Sequence, residues 1–182
     1  MPNHVKNILK FKHLTPDDVD FIVNTIAIEM ERPEMMGKQY AIDFDKIIPE
    51  PRFESECPDD CRVNKDSHIS IIEEKPWFDW YRWHLKYWGT KWGAYDCYSI
   101  VGKTYVKFIF STAWTMAYPI ITRLRLLNYE FELRYADEDY GHNCGILTYE
   151  QNEDLDEKSF FHQDEEILKN PTRFARYLWN SY

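Results

Sequence analysis

The sequence predicts one α+β domain whose core elements run β-α-β-β-α-β. Three observations lead there. An alternating apolar segment opens the chain and runs into a well-marked helix start. Two β-rich segments flank a Gly-Lys pair. A second alternating segment follows a helix opened by proline. At 182 residues the chain can bury a core without disulfide or metal staples.

Each element has its own warrant. In HVKNILKF at 4–11, Val5, Leu9 and Phe11 share one face and Lys6, Lys10 and Lys12 the other, the period of a strand. Thr15 is the expected N-cap of the next helix. Pro16 suits its first position, and Asp17 and Asp18 suit its positive end. Val19, Ile22, Val23, Ile26, Ala27 and Met30 recur at helical spacing. Residues 31–75 are less regular. IDFDKII at 42–48 reads as a short extended piece, and FESECPDDCRVNKDSH as a loop. A helix is expected at 76–88, opened by Pro76, with an apolar stripe of Trp77, Trp80, Tyr81, Leu85 and Trp88. Segments 95–101 and 104–110 around Gly102 and Lys103 predict a tight hairpin. Pro119 opens a short helix carrying Ile120, Ile121, Leu124 and Leu127. In 129–135, Tyr129, Phe131, Leu133 and Tyr135 alternate with Glu130, Glu132 and Arg134.

With residues 31–92 set aside as an insertion between the first helix and the second core strand, the order is the split βαβ of an antiparallel ferredoxin-like sheet. The ferredoxin-like domain is assigned to 1–149, with 145–151 as a further edge strand. Residues 150–182 form an acidic linker and a short C-terminal helix, packed back through Phe174, Tyr177 and Leu178.

A net charge of −9 repels phosphate backbones, so nucleic acid is disfavoured as a partner. Aromatics at 17% argue against disorder. No apolar run is long enough to span a membrane, and the N-terminus lacks a signal-peptide pattern. The expected compartment is the cytoplasm, with Cys57, Cys61, Cys97 and Cys144 as reduced thiols. A glycine-rich phosphate loop, HExxH and GxSxG are all missing, and no cofactor is expected.

The strings WGTKWGAYD at 88–96, FSTAWTMAYP at 110–119 and YADEDYG at 135–141, with MPNHV and FDKIIPEP, resemble the YubB-like ferredoxin-like family. Its members are proteins of unknown function carried by bacteriophages, plasmids and genomic islands. The resemblance covers residues 1–149 in patches. It implies a mobile-element origin, the cytoplasm of a bacterial host cell, and the fold derived above. It supplies no catalytic residues to carry over.

The hairpin should bring Trp88, Lys91, Trp92 and Asp96 toward Trp114, and these five are the partner-binding candidates. The tryptophans either join the inserted helix to the sheet as a mini-core, the commoner role of large aromatics, or form a concave surface for a base or a partner's side chain. Trp88, Trp92 and Trp114 are expected to be largely buried together. Lys91, between two tryptophans, is either a cation–π partner or a solvated charge. Asp137, Glu138 and Asp139 are expected at the opposite end of the sheet, near Asn3 and His4. They read as a solvated turn before Gly141, with Mg²⁺ or Ca²⁺ binding as the sharper alternative. Cys57, Cys61 and His68, with His142 and Cys144, offer zinc donors but no second close pair, so a free-thiol loop is the default. Cys97–His84 and Cys144–His142 qualify as nucleophile pairs by residue type alone.

These observations favour a non-enzymatic accessory protein of a phage or mobile element that binds a host protein, extending to inhibition of a defence system. The alternative is a nucleic-acid-binding module using the strand aromatics Tyr98, Tyr105 and Phe108. A metal-dependent enzyme using the acidic cluster comes third.

Overall fold

The computed structural model describes residues 3–32, 34, 37–51, 80–141, 143–151 and 169–181. In strand β1 (His4–Phe11), Val5, Leu9 and Phe11 are buried against the helices, and Ile8 is buried on the opposite face. Helix α1 (Pro16–Ile26) starts at a capping box. Thr15 Oγ1 accepts from Asp18 N at 3.2 Å, and Asp18 Oδ2 accepts from Thr15 N at 2.9 Å.

The helix ends four residues before the apolar spacing does. Ala27–Met30 is strand β2, paired antiparallel with β3 (Gln39–Ile42). Ala27 and Met30 continue the helical period, but pairing with residues 39–42 takes them into a ladder. The segment expected to be extended at 42–48 is instead a helical turn, α2 (Phe44–Ile47), capped by Asp43 accepting from Asp45 N.

Helix α3 (Trp80–Tyr87) precedes the hairpin of β4 (Tyr95–Val101) and β5 (Val106–Ala113). The turn is wider than the two residues expected, with Gly102 N donating to Tyr105 O. Helix α4 (Tyr118–Leu124) continues into a 3₁₀ turn at Arg125–Leu127 and leads to β6 (Phe131–Asp137). Strand β7 (Cys144–Tyr149) and helix α5 (Pro171–Asn180) follow among the described residues.

The main sheet has order β4-β5-β1-β6-β7, antiparallel throughout. The four consecutive strands β4-β5-β1-β6 give the split βαβ arrangement, so the fold is α+β and ferredoxin-like. β7 extends the sheet beyond β6. The small hairpin meets the other edge by side chains: Ser99 N donates to Gln39 Oε1 at 3.1 Å, and Tyr40 N donates to Ser99 Oγ at 2.8 Å.

Helices α1 and α4 cover one face of the sheet over Leu9, Phe11, Phe108, Phe110 and Leu133. Phe108 therefore belongs to the core and not to an open sheet face. Helix α5 lies on the other face, where Ala175 and Leu178 are buried with Ile8, Ile109 and Ala136. Leu178 packs back as the sequence suggested and Phe174 does so partly, but Tyr177 points outward. Trp179 takes its place, its Nε1 donating to Ala136 O and Asp137 O at 3.1 Å each. Among the described residues no helix is long and apolar enough to cross a membrane.

Candidate functional site

Strand direction fixes what meets at each end of the sheet. β5 and β6 are both antiparallel to β1, so they run parallel to each other and finish at the same end, where β1 begins. The register shows it: His4 opposes Ala113 on one side, and Val5 opposes Asp137 on the other. The expectation that 135–141 emerges opposite Trp114 is therefore wrong. It matched Asn3 and His4 correctly to the acidic turn, but missed that the same residues adjoin the end of β5. Residues 88–96, 110–119 and 135–141 converge on one end.

The loop before β4 is fixed there by polar contacts. Gly89 follows α3 in a left-handed conformation (φ 75°), and a Cβ on it would lie 2.5 Å from Pro119 Cδ, so only glycine fits. Thr90 is fully buried. Its hydroxyl donates to Ala113 O at 2.9 Å and accepts from Ala113 N at 3.1 Å, taking the place of a neighbouring strand. Thr115 Oγ1 donates to Gly89 O at 2.6 Å.

The buried face of α3 departs from the expected stripe in part: Trp88 is buried as expected, and Trp77 lies outside the described residues. Trp83, His84 and Trp88 face inward, while Trp80 and Leu85 are exposed. His84 can be buried because both ring nitrogens face acceptors: Nδ1 the Lys91 carbonyl at 2.8 Å, and Nε2 the Glu50 carboxylate at 2.7 Å. The ring stacks on Trp88 at 4.1 Å between centroids. Trp88 is a core residue, 5% exposed, donating from Nε1 to Ile48 O.

The other two tryptophans lie outward. Trp92 is half-buried, and Trp114 is 36% exposed, against the expectation of burial. Lys91 joins them, its Nζ 4.6 Å from the Trp92 ring centroid and 5.6 Å from that of Trp114. Tyr81 meets Trp114 edge-on, and Tyr95 meets Trp92 likewise.

Trp114 has φ 72°, a left-handed conformation that a bulky residue rarely adopts. It is held by its N–H donating to Asn3 O at 2.8 Å and its carbonyl accepting from Asn143 Nδ2 at 2.9 Å. Asp96, Tyr140 and Asn143 at the same end also have positive φ. At Asp96 the β4–β5 register shifts, a bulge that re-aims this part of the strand.

The carboxylates at this end serve different donors. Asp139 Oδ2 accepts from Asn3 Nδ2 at 2.7 Å, Glu138 Oε1 from His4 N at 2.9 Å, and buried Asp137 from Asp139 N at 2.8 Å. No group of three His, Cys, Asp or Glu side chains among the described residues is placed to hold a metal ion. Cys57, Cys61, His68 and His142 lie outside the described residues.

The Tyr95 hydroxyl lies 2.5 Å from His4 Nδ1 and 3.2 Å from Thr112 O. Burial, with the charges of Asp96 and Glu138, pushes its pKa up to about 12, so it stays protonated. Burial and the Asp96 charge raise the Cys97 thiol to about 11, and neither nitrogen of His84 is turned to it. That pair has neither the thiolate nor the geometry of a nucleophile and base.

Residues 88–174 match the family described as the ferredoxin-like domain in Api92-like protein. The chain is similar to that family from Trp88 to Phe174. The match begins with the W-G-T-K-W string and takes in β4 through β7 and the first turn of α5, but not β1 or α1. No curated protein and no solved structure matches the chain.

Proposed function

We propose that this chain is a non-enzymatic accessory protein of a phage or other mobile element, and that it binds a host protein at the aromatic and acidic end of its sheet. Trp114 is the observation that carries this reading. A strained backbone conformation persists only where its surroundings over-determine it, and such residues concentrate at functional sites. Here Asn3 and Asn143 hold an exposed indole in that conformation beside Lys91 and Trp92. The mobile-element context rests on the resemblance of the three strings, and inhibition of a host defence component is the specific role that context suggests. Base stacking on the sheet finds less support: Phe108 faces the helices, and α5 covers Ile8, Ile109 and Ala136.

Trp114→Gly is the discriminating variant, because glycine accepts the left-handed backbone that tryptophan strains to adopt. Tagged wild-type protein should recover a bacterial protein from host lysate, identified by mass spectrometry. The variant should recover at least tenfold less. Equal recovery by both proteins, or no enriched protein with either, would reject the proposal.

A further inference from the structure

We infer that the cleft between Ile48, at the end of α2, and α4 with its 3₁₀ extension binds a small carboxylate carrying an apolar ring. This goes beyond the partner-binding reading and does not depend on it. The cleft has a volume of about 360 Å³, near the lower end of the roughly 300–1,000 Å³ of small-molecule sites. Ile48, Pro119 and Leu126 supply apolar walls, and Thr122, Arg123 and Arg125 supply polar groups.

The charge of the lining is the first reason. Two arginines line the cleft and no Asp or Glu among the described residues does, a local reversal of sign on a chain of net charge −9. Arg125 is buried and braces the helix, its Nε donating to Thr122 O at 3.3 Å. Arg123 is exposed and forms no salt bridge among the described residues, so its guanidinium is the group placed to meet a ligand.

The second reason is independent of charge. The Thr122 hydroxyl is buried and has no hydrogen-bond partner. Leaving a buried hydroxyl unpaired costs free energy, and folded proteins avoid it. Helical threonines divide between two χ1 rotamers, so a turn about χ1 can present this hydroxyl to an oxygen in the cleft. A carboxylate then accepts from Thr122 with one oxygen and from Arg123 with the other. The walls set the rest of the ligand. Leu126 is 55% exposed, and an apolar ring laid against it, Pro119 and Ile48 removes apolar surface from water. Inorganic phosphate could meet the same donors but would leave these walls wet.

The test is titration of the full, isotope-labelled chain with phenylacetate at neutral pH, followed through the amide resonances of α4. Phenylacetate should shift the Thr122 and Arg123 amides and saturate with a Kd of about 1 mM or tighter. Phenylacetamide keeps the ring without the charge, and acetate keeps the charge without the ring. Each should bind about tenfold more weakly. Arg123→Gln should weaken phenylacetate about tenfold, and Thr122→Val about threefold or more. Thr122→Val should leave the melting temperature unchanged or raise it, because no hydrogen bond is lost. The inference is overturned by no saturable shift with phenylacetate, by shifts centred away from α4, or by tighter binding of inorganic phosphate. Equal binding of phenylacetamide or acetate, full affinity in either variant, or a clearly lowered melting temperature for Thr122→Val would overturn it as well. Capture of a host protein through Trp114 is measured separately, so either proposal can fail alone.

Discussion

A fragment from Trp88 to Tyr182, which contains the whole family-matched stretch, is expected to be unfolded. It lacks β1, which lies between β5 and β6 and is hydrogen-bonded to both. Without β1 the two flanking strands each lose a partner, and the main-chain groups at the centre of the sheet lose theirs. The core also loses Val5, Leu9 and Phe11, all fully buried, and the α1 face that covers them. An amide proton–nitrogen spectrum of the fragment should show narrow dispersion, and its thermal melt should show no cooperative transition. A dispersed spectrum with a sharp melt would mean that β5 and β6 can close up without β1. In the full chain, Phe11→Ala should cost about 3–5 kcal/mol, the range for large aromatic truncations in a core.

The tryptophans should divide sharply by role. Trp88→Ala is expected to destabilise the protein by about 3–5 kcal/mol. It empties a site lined by Phe44, Trp83 and the stacked His84 ring, and leaves the Ile48 carbonyl without its indole donor. Trp114→Gly should change stability by no more than about 1 kcal/mol, because the lost ring contacts are offset by relief of the left-handed strain. Urea titrations followed by far-ultraviolet circular dichroism measure both. A large loss for Trp114→Gly would make that residue a core element and remove the main support for a binding role.

The fold was legible where a signal is local. Val5, Leu9 and Phe11 mark the helix-facing side of β1, and Thr15, Pro16 and Asp18 spell out the start of α1. The end of α1 was not legible, because Ala27 and Met30 keep the helical period and only pairing with residues 39–42 ends the helix. The buried face of α3 was misjudged because His84 reads as polar, while the groups that allow its burial, Glu50 and the Lys91 carbonyl, lie elsewhere in the chain. Burial of Trp114 was expected from its place beside Trp88 and Trp92 at adjoining strand ends, but a bend after β5 turns it outward, and nothing in the local sequence marks a left-handed tryptophan. The convergence of the three strings is a different case. It follows from the pairing rules alone, since two strands antiparallel to a common neighbour must end together.

That convergence carries the account, and nuclear Overhauser contacts from Asn3 test it most directly. Asn3 is the residue that joins the end of β5 to the acidic turn after β6. The side-chain amide protons of Asn3 should show contacts to the β protons of Asp139, and the Trp114 amide proton should show one to the Asn3 α proton. Contacts from Asn3 to only one of these two segments, with Trp114 and Asp139 sharing no common neighbour, would place the strings at opposite ends of the sheet and contradict the account.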